Sequence, residues 1–531
     1  MATGDWWRHG VIYQIYPRSF QDSNGDGIGD LPGIISRLDH LNDGTPDSLG
    51  VDAIWLSPFY PSPMADFGYD VSDYCDVHPD YGTLADFDEL VRQAHRRGIR
   101  VLVDFVPNHT SDQHPWFRES RSSRTGPRRG WYVWRDPGAD GSPPNNWRSY
   151  FPAVGVPWTL DPATGQYYLH SFLPQQPDLN WWNPEVRAAM HDVLRFWLER
   201  GVDGFRIDVA HKMARDPELR DNPPEPSGGF PAGVRRDEDW PEVHVILREF
   251  RRLLDGYDDR MAVGEVGIYD PARLVRYFGD ALDELHLAFN FAFLVQPWSA
   301  EAFRASVERY QSVLPEGAWP VYTLSNHDNP RARSRYDGGG ASGERRTRVG
   351  AMMLLTLRGT PFLYYGEEIG QPDGEVPPDR VVDVHGRDPE RTPMQWDGGP
   401  GAGFTGGDPW MPVGSAARSV NVAAQRADPA SILSLYRRLI WYRRSSAALR
   451  WGSYESVGHT PGLFAFVREC GEERLLVALN FRDEPAHLDG SSLGLPHRGR
   501  LELSTDPDRA PGAIGIQPLR LGPDEGVIVR L

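Results

Sequence analysis

Val101-Leu102-Val103-Asp104-Phe105-Val106-Pro107-Asn108-His109 opens as an apolar, β-branched strand and turns within a few residues into a carboxylate, an amide and an imidazole. A strand buried on both faces that ends in polar side chains is the signature of a parallel sheet carrying its chemistry at the carboxyl edge. Seven further short apolar runs follow the same plan: Val11–Tyr16, Ala53–Leu56, Gly204–Ile207, Met261–Gly264, Leu287–Phe293, Pro320–Leu324 and Pro361–Tyr365. Amphipathic helical stretches lie between them, clearest over Asp86–Arg97 and over Pro184–Arg200, where Asn183 reads as the N-cap and proline as the first helical residue. Eight strand and helix units predict an α/β fold, a (β/α)8 TIM barrel.

The spacing of the units is uneven. About seventy-five residues, Asn108 to Trp182, separate the third strand from its helix, too many for a structureless loop. They predict a small inserted domain over 108–182, which divides the barrel into 1–107 and 183–445. The segment Gly366–Ala430 is also long and turn-rich, and a helix is expected over Ala430–Arg443. Beyond it, short strands such as Leu463–Val467, Leu475–Asn480 and Gly526–Leu531 predict an antiparallel β-sandwich over 446–531.

The chain has 531 residues, 40% hydrophobic and 24% charged, enough to bury a large core. Its 74 acidic against 56 basic residues give a net charge of −18, which disfavours a nucleic-acid partner. The Arg-rich stretch 118–130 reads as a solvated loop. No apolar run approaches the roughly 20 residues of a membrane span. Cys75 and Cys470 show neither a disulfide framework nor a metal-ligand spacing. A cytoplasmic protein with no membrane partner is expected, its oligomeric state left open. The 61 aromatic residues would also suit the C–H faces of sugars (18 Trp, 21 Tyr, 22 Phe).

Asp22-Ser23-Asn24-Gly25-Asp26-Gly27-Ile28-Gly29-Asp30 sets oxygen donors at alternate positions between glycines, the start of a loop for a hard cation. Asp22, Asn24, Asp26, Ile28 and Asp30 are the candidate ligands of a structural Ca2+ or Mg2+. No organic cofactor is indicated. Asp104, Asn108 and His109 end the third strand. Arg206 and Asp208, two residues apart on the fourth, point to the same side, so the guanidinium can hold the carboxylate ionised. The fifth strand ends at Glu265, where partial desolvation favours the neutral acid. The seventh ends Ser325-Asn326-His327-Asp328-Asn329. Three strand ends loaded with acids on one barrel face would repel one another unless the charge is used.

Those motifs, with Gln176–Asn180 (QPDLN) and Arg391–Asp397 (RTPMQWD), resemble the α-amylase superfamily, glycoside hydrolase family 13, and within it the α-glucosidase and oligo-1,6-glucosidase group. The resemblance implies that Asp208 is the nucleophile, Glu265 the general acid and base, and Asp328 the stabiliser of the transition state. It implies that His109 and His327 bind sugar hydroxyls and that Tyr69 is the platform beneath the ring. It also implies that Asp66 grips the non-reducing end together with Arg391, or else Arg387. Such a clamp implies an exo-acting enzyme on short oligosaccharides, and the nucleophile with its acid and base implies a retaining one. Valine after the nucleophile, here Val209, is associated in this group with α-1,6 bonds; the continuation Ala210–Met213 departs from the usual one, leaving α-1,4 and α-1,6 both open. Lys212, the only lysine of the chain, is expected either at the acceptor subsite or on the surface. Transglucosylation shares the covalent intermediate, and a sugar isomerase or glucosyltransferase of the same family is the alternative. A transporter-ancillary or purely carbohydrate-binding role does not call for three acids and a supporting arginine.

Overall fold

A computed structural model describes residues 5–224, 235–458, 460–491 and 493–531. Eight parallel strands form one barrel-like sheet: Ile12–Ile15, Ala53–Leu56, Arg100–Phe105, Gly204–Ile207, Met261–Gly264, Leu287–Ala288, Val321–Thr323 and Thr360–Tyr364. Ladder pairing runs seventh, eighth, first, second, third, fourth, fifth, sixth, so the sheet lacks only a ladder between its sixth and seventh strands. The expected sixth strand, Leu287–Phe293, is corrected. Pairing stops at Ala288, and Asn290 caps a short helix, Phe291–Leu294, by accepting from the Phe293 amide at 3.2 Å.

Alternation along each strand divides the core in two. Ile12, Ala53, Trp55, Leu102, Met261, Val263 and Phe362 fill the barrel interior, together with Trp6 and Trp7, whereas Tyr13, Ile54, Val101 and Val103 face the surrounding helices. Two residues beyond Leu102 and Val263, the same register brings Asp104 and Glu265 to the carboxyl end. Asp104 pairs in register with Arg206. Helix Leu84–Arg96 begins at Thr83 with a capping box to Asp86, and helix Pro184–Glu199 begins at Asn183, whose side chain accepts from the Glu185 amide.

Between the third strand and its helix lie a helix, Pro115–Ser122, and a three-stranded antiparallel sheet of Trp134–Arg135, Gln166–Leu169 and Trp158–Asp161. The stretch 118–130 is therefore not simply a solvated loop. Arg118–Ser122 are helical, and Arg128 and Arg129 lie over Trp131 and Trp134, 4.2 and 3.5 Å from the ring centroids.

After helix Ile432–Ser445 comes a six-stranded antiparallel sheet. Phe464, Phe466, Leu475, Val477 and Leu479 join the core shared with the barrel helices, while Leu463, Ala465, Val467, Leu476 and Ala478 turn to a second core. That second core also holds Ala486, Leu488, Leu519 and Leu521 of a two-stranded sheet, which makes two antiparallel layers. Among the described residues no helix is long and apolar enough to cross a membrane.

Candidate active site

The strand ends meet on Arg206, a fully buried guanidinium. Its Nη1 donates to Asp208 Oδ1 at 2.8 Å and to Asp104 Oδ1 and Oδ2 at 2.8 and 3.0 Å, and its Nη2 donates to Glu265 Oε2. Arg206 thus serves three carboxyls, not Asp208 alone as its sequence spacing suggested. Burial pushes the Asp208 carboxyl well up; Arg206 opposes this, while Glu265 and Asp104 add to it. Burial likewise lifts Asp104 to about 6 against the same guanidinium. With three carboxyls drawn to one cation, the single guanidinium does not offset burial at Asp208 or Asp104.

Val209 stands in the left-handed region, φ 33°, where a β-branched residue is strained by about 1–3 kcal/mol. The turn aims its backbone N–H at Glu265 Oε2, 3.2 Å away, and keeps its side chain against Phe151 and Phe172.

Around this centre runs a hydrogen-bond chain. Gln14 Nε2 lies 2.8 Å from His327 Nδ1, His327 Nε2 lies 2.6 Å from the Tyr69 hydroxyl, and that hydroxyl donates to Asp104 Oδ2 at 3.0 Å. Burial lowers His327 to about 3, so the ring is neutral; with Gln14 donating to Nδ1, the remaining proton sits on Nε2. One face of the Tyr69 ring stacks on His327, centroids 5.3 Å apart and planes within 4°. His109 is also held neutral by burial, and its Nε2 is 3.1 Å from Gln176 Nε2.

Asp328 accepts from Arg391 Nη2 at 2.9 Å and from Arg387 Nη1 at 3.1 Å. Burial alone would raise its carboxyl, but the Arg387 and Arg391 guanidiniums hold it far below the usual carboxylate range. The partner of Asp66 is corrected from Arg391 to Arg387, whose Nη2 donates to Asp66 Oδ1 at 2.6 Å. Arg391 is instead anchored at Asp328 and the His327 carbonyl, 2.8 Å from its Nε. Asp383, four residues before Arg387, accepts from its Nε at 2.8 Å and is lowered to about 2 against burial by that contact.

Asp66, Tyr69, His109, Asp208, Glu265 and Asp328 all face one cavity of about 480 Å3, a size suited to a small ligand. Arg206, His327 and Arg391 lie behind that surface and hold the lining residues. Sequence reasoning missed Asp383 and the aromatic roof of Tyr150, Phe151 and Phe172. Phe151 carries His385 stacked at 3.8 Å and 16°. No motif marks these residues, because they meet only when the inserted segment folds over the loop after the eighth strand. Lys212 is not on the surface. It is buried, its Nζ donating to Glu238 Oε2 at 2.8 Å.

In the Asp22–Asp30 loop the oxygens are engaged internally. Asp22 accepts from the Asn24, Gly25 and Gly27 amides, Asn24 and Asp26 from the amides two residues on, and Asp30 from Ser23 and Gly33. Among the described residues no three His, Cys, Asp or Glu side chains converge as a metal-binding group. A cation here therefore requires the Asn24 amide oxygen and the Ile28 carbonyl beside the carboxylates.

The catalytic-domain model described as "Alpha amylase, catalytic domain" matches residues 14–452. A probable α-glucosidase of Rhizobium meliloti (strain 1021) is 45% identical, the match covering 91% of this chain and 90% of the relative. An oligo-1,6-glucosidase of Parageobacillus thermoglucosidasius is 40% identical over 90% of this chain and 91% of its own. A solved α-glucosyl transfer enzyme is 42% identical, covers 99% of both chains and superposes with a TM-score of 0.91. The chain belongs to the α-amylase family of glycoside hydrolases and is a glycosidase.

Proposed function

We propose that the protein is an exo-acting, retaining α-glucosidase that removes terminal non-reducing glucose from short α-1,4- or α-1,6-linked oligosaccharides and also transfers the glucosyl group. The observation that carries this is the convergence of Asp208 and Glu265 on Arg206, beside an ionised Asp328, in one cavity. A retaining glycosidase works with two carboxyls about 5–5.5 Å apart, one ionised and one protonated. Asp208 attacks the anomeric carbon while Glu265 gives its proton to the leaving oxygen; water or a sugar hydroxyl then reverses the step with Glu265 as base. Asp328 stabilises the oxocarbenium-like charge, and its two guanidinium neighbours keep it available as an anion. Neutral His109, which faces the cavity, suits hydrogen bonding to sugar hydroxyls, whereas His327 supports Tyr69 from behind it.

Exo action is supported by Arg387, which ties Asp66 to Asp328 across the cavity. Val209 lines the cavity beside the nucleophile and accords with α-1,6 cleavage, though one or two methyl groups at a subsite are worth only about 1–3 kcal/mol. Rates on maltose, isomaltose, sucrose and p-nitrophenyl α-glucoside test the reading. Release of free glucose is expected; a dominant isomer from sucrose with little free glucose would favour an isomerase.

The Asp22–Asp30 loop, with two left-handed glycines, Gly25 and Gly27, is proposed to hold a structural Ca2+ or Mg2+ through Asp22, Asn24, Asp26, the Ile28 carbonyl and Asp30. The cation takes no part in the chemistry proposed for Asp208 and Glu265.

A further inference from the structure

The cavity changes character toward its mouth. Among its described lining residues, the acids and Arg387 are buried or half-buried, whereas the four exposed ones are Tyr150, Pro152, Ala153 and Val384. Tyr150 is 51% exposed and Val384 79%. Val381 and Val382 continue the exposed apolar stretch along the same loop. Single exposed apolar side chains are ordinary, but three valines within four residues beside a cavity form a patch.

This rim is held in place. Asp388 Oδ2 accepts from the Val382 and Asp383 amides at 2.8 and 3.0 Å, and the His385–Phe151 stack joins the loop to the inserted segment. Two cations behind it are engaged, Arg387 with Asp66, Asp328 and Asp383, and Lys212 with Glu238. A charged group at the mouth would find no counterpart among these residues. A sugar there would set hydroxyls against apolar side chains, which costs hydrogen bonds to water.

The inner, polar half of the cavity takes the glucosyl unit, so the mouth takes the group on the other side of the scissile bond. Resting on the proposed double displacement, we infer that this outer subsite, which the leaving sugar vacates, takes an uncharged aryl or aliphatic alcohol as acceptor in preference to free glucose. In the transfer step the acceptor oxygen bonds to the anomeric carbon. The ester bond to Asp208 breaks, its electron pair returning to the carboxylate, and the hydroxyl proton passes to Glu265. The product is an α-glucoside of the alcohol.

The test uses the full chain with p-nitrophenyl α-glucoside as donor and equal concentrations of benzyl alcohol and glucose as competing acceptors. Nitrophenol counts formation of the glucosyl-enzyme, and the two transfer products report how that common intermediate partitions. Benzyl α-glucoside is expected to exceed the new disaccharide by about fivefold, and Val384→Asp to lower that ratio by about the same factor. Pro152→Asp, on the other side of the mouth, is expected to act in the same direction. Glucose as the preferred acceptor, or a ratio that neither substitution moves, would overturn the inference. Absence of nitrophenol release would overturn the underlying reaction, and this inference with it.

Discussion

Arg387 Nη2 lies 2.6 Å from Asp66 Oδ1 while its Nη1 lies 3.1 Å from Asp328 Oδ1, so one guanidinium joins the loops after the second, seventh and eighth barrel strands. The span depends on the two-pronged geometry of arginine. Arg387→Ala is expected to raise KM for disaccharides by about tenfold or more, since an uncompensated carboxylate is left at the sugar-binding end. The fall in kcat should be smaller. Arg387→Lys should recover only part of the loss, and steady-state kinetics on maltose and isomaltose would reveal it.

Asp208→Asn removes the attacking oxygen anion and should lower turnover by about 10^4-fold or more. Burial and neighbouring carboxyls already push Asp208 up, so a neutral isostere relieves an electrostatic cost. The melting temperature should therefore hold or rise. Calorimetry beside an activity assay separates the lost nucleophile from a lost fold.

Glu367 lies behind the seventh strand, accepting from the Ser325 and Tyr436 hydroxyls at 2.9 and 3.1 Å, and burial lifts its carboxyl from 4.5 to about 7. Between those values the folded chain binds more protons there than the unfolded chain, so this group's contribution falls as pH rises through the window and is level above it. At about 1.4 kcal/mol per pH unit, the loss reaches about 3 kcal/mol. Glu367→Gln cannot ionise. Its melting temperature relative to the unsubstituted protein should be higher at about pH 8 than at about pH 5, and a pH-independent difference would contradict the assignment.

Chelation tests the Asp22–Asp30 loop. If a cation is bound, EDTA should lower the melting temperature and added Ca2+ or Mg2+ restore it, by an amount that grows with the logarithm of free cation. Asp26→Ala should abolish that dependence. Identical melting curves with and without chelator would remove the cation from the loop.

Much of the barrel was legible because strands buried on both faces leave short, largely apolar runs, broken only where an inward polar residue such as Gln14 or Arg206 serves the site. Leu287–Phe293 misled because apolar residues flank Asn290 on both sides, and only its capping bond distinguishes the helix that follows. Asp208 and Glu265 could be found since each directly follows a strand whose register fixes its direction, whereas Asp328 lies in a turn five residues beyond Thr323 and was marked by its motif. The choice between Arg387 and Arg391 lay beyond sequence, both being on one irregular segment whose path sets which reaches Asp66. Lys212 follows the same logic, as its burial depends on Glu238 arriving from a distant loop.

The double displacement at Asp208 and Glu265 is tested most directly by proton NMR of the first glucose released from an α-linked substrate, before mutarotation. Two inversions at the anomeric carbon predict α-glucose as the initial product. Initial release of β-glucose would show a single displacement by water and contradict the covalent role of Asp208.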